Sequence, residues 1–152
     1  MSLENDINQK KFRNEYQKVI INLIYTHNWL MERMKSMFEN EDLTLQQYNI
    51  LRILRGSETP LSTLQIRQRM LDKMSDTSRI VDRLITKGLV KKSSCKEDKR
   101  LVDIMITTKG RRLLEKMDLL NDEMDNLVAA LSTEEAKQLN ALLDGIRVPQ
   151  QN

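Results

Sequence analysis

Ser75, Asp76, Thr77, Ser78 and Arg79 open an amphipathic stretch that continues through Arg83 and Lys87, and they place hydroxyls, a carboxylate and a guanidinium side by side. Gly88 follows, and then Lys91, Lys92, Lys96, Lys99 and Arg100 crowd into ten positions. These are hydrogen-bond donors and fixed cations rather than nucleophiles or proton-transfer pairs. An arginine can pair bidentately with guanine, and a lysine that neutralises a phosphate releases condensed counterions. Residues 61–112 hold 14 Lys and Arg against 6 Asp and Glu, leaving 11 against 16 for the remainder of a chain whose formal net charge is +3. Such polarity suits a polyanion. A charge run alone is most often a solvated helix face; the ordered series of helix, basic helix, glycine, basic hairpin and charged tip argues instead for double-stranded DNA.

A helix about 10–12 Å across fits the major groove when a second helix braces it. Ser62-Thr63-Leu64-Gln65 is a capping box that opens such a brace over 62–71. Ser75 is placed to cap a reading helix over 75–87, with Ile80, Val81, Leu84 and Ile85 inward and Gly88 ending it in a left-handed cap. In this arrangement Ser75, Asp76, Thr77, Ser78 and Arg79 reach base edges, and Arg83 and Lys87 meet phosphates. Strands over 89–94 and 101–106, joined by Cys95-Lys96-Glu97-Asp98-Lys99-Arg100, form a wing. The wing adds Lys91, Lys92, Lys99 and Arg100, with its cationic tip suited to the minor groove and Asp98 holding the Arg100 guanidinium ready.

Longer apolar periodicities stand on either side. Residues 7–38 read as one helix spanning roughly 48 Å, too long to bury its stripe against the rest of the chain, so it is expected to meet another chain. Thr44-Leu45-Gln46-Gln47 is a further capping box, for a helix reaching Arg55. Another helix is expected from Thr107 or Thr108 through Leu131, and a last one from the capping box Ser132-Thr133-Glu134-Glu135. The expected fold is mainly α with a small β-hairpin wing. Its winged helix-turn-helix core (43–112) is flanked by an N-terminal dimerisation helix (1–42) and C-terminal dimerisation helices (113–152).

Composition narrows the class. Hydrophobic residues make up 39% but aromatics only 4%, and four glycines with two prolines argue against a many-turned β fold. One cysteine excludes an internal disulfide and agrees with a reducing compartment. No leader pattern and no apolar run near ~18 residues is present, so a cytoplasmic location without a membrane partner is expected. A phosphate-binding glycine loop and a Cys/His cluster are both missing, and Cys95 and His27 lie in different elements. An enzyme, a bound metal and a cofactor are therefore not expected.

The chain resembles the MarR family of winged-helix transcriptional regulators. The resemblance rests on Leu43-Thr44-Leu45-Gln46-Gln47-Tyr48-Asn49-Ile50-Leu51, on Leu84-Ile85-Thr86-Lys87-Gly88-Leu89-Val90-Lys91-Lys92, and on Asp98-Lys99-Arg100 followed by Ile106-Thr107-Thr108-Lys109-Gly110. It implies an obligate homodimer whose two winged lobes straddle a pseudo-palindromic operator. Arg100 would enter the minor groove with Asp98 in support, and the helix from Ser75 would read the major groove. It also implies a repressor released by a small aromatic or anionic effector. Two departures stand out: the stretch before Asp98 lacks the proline common in family wings, and the strand exit reads Ile106-Thr107 in place of Leu-Thr.

Some residues carry two readings. His27, on the apolar stripe of the first long helix, is a ligand-pocket or pH-sensing residue on one reading and a hydrogen-bonded interface histidine on the other. Trp29, Met31, Met34 and Tyr48 line a ligand cavity or belong to the core and dimer seam. Cys95, with Lys92, Lys96 and Lys99 nearby, is a redox-sensitive thiol or an incidental one. Asp118, Asp122, Glu123 and Asp125 form a solvated acidic face more readily than a metal site. The alternative to DNA binding is a winged-helix module that docks another protein, since fold alone does not fix function.

Overall fold

The computed structural model describes residues 2–94 and 102–149. Cys95, Lys96, Glu97, Asp98, Lys99 and Arg100, which carry the expected wing tip, lie outside the described residues. The chain divides into two compact units, Met1–Lys116 and Met117–Asn152.

In the first unit a short helix, α1 (Leu3–Asp6), precedes the long α2 (Glu15–Glu39). The long helix starts later than its periodicity suggests. Asn14 caps it, accepting from the Gln17 N–H at 2.9 Å, and Asn8 turns the chain at φ 52° before it. Asparagine tolerates that left-handed backbone and is among the best N-caps, so local side-chain chemistry stops the helix short of residue 7. Its 25 residues span roughly 37 Å.

α3 (Leu45–Arg55) and α4 (Thr63–Arg69) both begin with complete capping boxes, Thr44 with Gln47 and Ser62 with Gln65. α5 (Thr77–Thr86) begins one residue later than expected: Asp76 is its cap, accepting from the Arg79 N–H at 3.1 Å. Ser75 donates its hydroxyl to the Asp72 carbonyl instead, at 2.7 Å. Gly88 follows with φ +70°, the left-handed exit expected of it.

The wing is a three-stranded sheet rather than a hairpin alone. β2 (Val90–Ser94) pairs antiparallel with β3 (Val102–Ile106), and the two-residue β1 (Leu61–Ser62) pairs with β3 on its other side, Leu61 facing Ile104. Alternation along β3 buries Ile104 and Ile106. They join Ile50, Leu51 and Leu54 of α3, Ile66 of α4, and Val81 and Leu84 of α5 among the buried apolar residues of this lobe. Gly110 sits where α6 (Thr108–Asp118) starts, and a Cβ there would lie 2.3 Å from the Leu89 carbonyl oxygen. Only glycine lets the backbones approach that closely.

In the second unit the expected long helix to Leu131 is broken. α7 (Asn121–Asn126) is separate, because the Leu120 N–H turns back to the Met117 carbonyl at 2.9 Å and ends the first run. Asp122 and Glu123 then favour a fresh helix N-terminus. α8 (Thr133–Ile146) starts with the capping box of Ser132 and Glu135. The backbone and hydroxyl of Ser132 donate to Glu135, which holds that carboxyl below its ordinary range. Among the described residues no helix is long and apolar enough to cross a membrane.

Candidate nucleic-acid interface

The geometry of α5 is set at both ends by side-chain chemistry. Ahead of it, the turn from α4 is built from local bonds. Asn49 of α3 accepts from the Leu71 N–H at 2.9 Å, and Asp72 accepts from the Met74 N–H at 2.9 Å. These fill the amides that leave α4 and hold the angle between the two helices.

Behind it stands a second set of bonds. Lys87, the last residue before Gly88, reaches Asp42 at 3.3 Å and Gln47 at 3.2 Å, and also donates to the Asp42 carbonyl. Asp42 holds a left-handed backbone, φ 49°, at the corner between α2 and α3. Lys109 donates to the Lys87 carbonyl at 2.8 Å, and the Thr107 hydroxyl donates to the Gly88 carbonyl at 2.7 Å. The C-terminal end of α5 is thus tied to α3 and α6, and carbonyls a helix end leaves unsatisfied find donors.

Between those fixtures Ser78, Arg79 and Arg83 point to solvent, as do Lys91 and Lys92 on β2. Lys92 bonds Asp82 of α5 at 2.8 Å, so strand and helix are cross-linked on the surface. The structure brings these expected contact residues onto one lobe and turns three others, Thr77, Lys87 and Asp76, to other tasks. Thr77 is 3% exposed, and its Oγ1 has no hydrogen-bond partner among the described residues. The first helical residue of α5 faces inward, so it cannot touch a base edge as the sequence suggested. Lys87 is turned toward Asp42 and Gln47 and positions the helix rather than offering an open cation. Asp76 is occupied as the helix cap.

Residues of α4 that the sequence did not single out lie beside the start of α5. Thr63, Leu64 and Arg67 line an open groove of about 460 Å³ with Met74, Ser75 and Ser78. Thr63 and Arg67 stand four apart on one helix face, a signal the sequence carried.

The four residues expected to form a ligand pocket are not brought together. Two positions along a helix turn the side chain to the opposite side. Trp29 therefore lies with Ser2, Glu4 and Tyr25 beside α1, stacked under the Arg33 guanidinium at 4.0 Å, while Met31 faces Leu43, Thr44 and Leu45. Tyr48 is buried against Phe38, ring centroids 4.7 Å apart, and His27 is exposed. The groove at Met31 has a volume of about 600 Å³, with Glu32, Lys35, Glu39 and Asp42 on its lining. On the Trp29 side, Lys18 bonds Glu4 and pulls that carboxyl down to about 2, fastening α1 to α2.

A braced helix, a three-stranded wing and an exposed cationic surface define a winged helix-turn-helix protein. Residues 41–101 match the MarR family model. Over 112 residues the chain is 30% identical to the HTH-type transcriptional regulator TtmR of Methylorubrum extorquens (strain PA1), covering 74% of this chain and 55% of that protein. It is 26% identical over 124 residues to the HTH-type transcriptional repressor IacR of Pseudomonas putida, covering 80% of this chain and 73% of that one. Among solved structures, the S. aureus MepR–DNA complex is similar with a TM-score of 0.73 at 25% identity, covering 90% of this chain and 97% of that one. The winged lobe is similar to the MarR family over residues 41–101, and the curated relatives the chain matches are named transcriptional regulators or repressors. The chain spans just over half the length of TtmR.

Proposed function

We propose that this chain is a DNA-binding transcriptional regulator that acts as a homodimer on a pseudo-palindromic operator and represses transcription. The observation that carries this reading is the exposed row Ser78, Arg79 and Arg83 on a helix anchored at both ends, with Lys91 and Lys92 beside it on the wing. A rigid element presenting hydroxyl and guanidinium donors suits the major-groove edge pattern, and the surrounding cations suit phosphates. Ser75 adds to the base-facing end, and Asp98, Lys99 and Arg100 take the minor-groove role that the family pattern gives them. Likeness to IacR, named a repressor, supports the sign of regulation.

Dimerisation is supported by unfinished apolar faces. On α2, Tyr16, Val19, Ile20, Leu23 and Ile24 are all exposed, Tyr16 to 81%. In the second unit Leu139, Leu142 and Ile146 of α8 are exposed as well. Residues 1–42 and 113–152 serve as the dimerisation segments and 43–112 as the DNA-binding lobe. A second copy covers these stripes at a gain of about 25 cal/mol for each Å² of apolar surface removed from water.

A small aromatic effector enters the groove at Met31, Leu43 and Leu45, whose lining also holds Lys35 paired with Glu39 at 3.8 Å. Asp42 belongs both to that groove and to the Lys87 tie, so an occupant there competes for the anchor of α5. Selection of duplexes from a random pool, followed by salt titration of the winner, tests the reading. A log–log slope of about −0.9 per neutralised phosphate is expected. A salt-independent or absent interaction defeats it.

A further inference from the structure

The surface around α4 and α5 is not uniformly polar. Leu64 is 63% exposed, Leu71 83% and Met74 93%. All three lie on the helix-turn-helix, and Leu64 and Met74 line the same groove as Arg67, Ser75 and Ser78. Large apolar side chains held out in water at the head of a cationic helix need a partner with apolar atoms inside a polyanionic surface. In duplex DNA that combination exists in one place. The thymine 5-methyl group is the apolar feature on the major-groove edge of the base pairs, flanked on each side by phosphates.

We infer that Leu64 and Met74 determine sequence preference by packing on thymine methyl groups, beside the hydroxyls of Ser75 and Ser78. This rests on the DNA-binding reading above and deepens it by naming the base feature read. Two arguments favour thymine over an apolar protein partner. The groove is continuous with the proposed interface, since Ser75 and Ser78 line it too. Its lining holds Arg67 beside Asp76, the cap of α5, and the exposed Arg79 and Arg83 follow along the same helix as cations that attract a phosphate backbone. Methionine also suits the task, because an unbranched, polarisable side chain adapts to a methyl whose position varies from step to step.

The test uses the full chain and the duplex that a random pool yields. Each thymine in turn is replaced by deoxyuridine, which removes the 5-methyl group and leaves every hydrogen-bonding edge intact. Binding is compared for the wild type, Leu64→Ala and Met74→Ala. Both residues are exposed, so the substitutions leave the fold in place, which circular dichroism verifies. The wild type should lose about fourfold in affinity at one or two thymines, the equivalent of ~0.8 kcal/mol for one buried methyl. At those positions Met74→Ala or Leu64→Ala should bind the thymine and uracil duplexes alike. Equal wild-type affinity for both duplexes overturns the inference while leaving DNA binding intact. So does an unchanged uracil penalty in both alanine variants, which would assign the methyl contact to other residues. Failure to select any duplex removes the DNA-binding reading, and this inference with it. Loss of a protein partner on Met74→Ala, with no uracil effect, would assign the patch to protein docking.

Discussion

The long helix α2 and the winged lobe use the same aliphatic residues to opposite ends. In the lobe, Ile50, Leu51, Val81, Leu84 and Ile104 are buried, and charge is left outside. Along α2 the reverse holds, with Phe38 alone fully buried and an apolar stripe facing water from Tyr16 to Ile24. The lobe is finished by its own chain and its surface is shaped for a polyanion. The helix is not finished by its own unit, and only further apolar surface completes it.

The sharpest way to break that contrast is to charge the stripe. Ile20→Asp combined with Leu23→Asp should weaken self-association at least about a hundredfold, since each lost side chain removes some 1.5–3 kcal/mol of burial. Sedimentation of wild type and variant decides this, and an unaltered mass would mean that α2 is not the seam. Arg79→Ala, in contrast, should leave association intact while costing about 1–3 kcal/mol in operator affinity and relaxing preference at one base pair. A loss that is equal on every sequence would move Arg79 to the phosphates.

Within the lobe, Thr77→Val should raise stability by about 1 kcal/mol, because it removes a buried hydroxyl that has no partner among the described residues and keeps the shape. Urea unfolding measures it; destabilisation would mean that Thr77 Oγ1 has a partner such as water. Lys87→Met should lower stability, by no more than about 1 kcal/mol, because Asp42 is largely exposed and its ion pair is weakened by solvent. The smallest effect belongs to the outer side of α2. Glu4 titrates near 2 in the folded chain against an ordinary 4.5, so its bond to Lys18 helps hold α1 in place above pH 4.5 and is lost as pH falls toward 2. Trp29, the sole tryptophan, lines the same groove as Glu4, so its emission should shift across that window while α-helical content holds. A flat profile between those limits would break the link.

Much of the fold was legible because its signals are local. The capping boxes at Thr44, Ser62 and Ser132 each involve two side chains within four residues, and all three are complete. Gly88 was legible because few residues tolerate its backbone. The start of α2 was not, since apolar spacing continues past the point where Asn14 caps. Nor was β1, whose two residues become a strand only by meeting β3, a partner some 40 positions away. For the interface, spacing identified the exposed cations of α5 and β2 but could not tell that Thr77 turns inward. Nor could it tell that Lys87 is spent on Asp42, a contact made only after folding. The ligand-pocket residues scattered because nearness along a helix is not nearness around it.

The bolt at the rear of α5 has an evolutionary corollary. Lys87, Gly88, Thr107 and Lys109 set the tilt of the helix from behind, while Ser75, Ser78 and Arg79 at its front take no part in that joint. Descendants of this gene can therefore exchange front-end side chains and acquire new targets without refitting the frame that aims them.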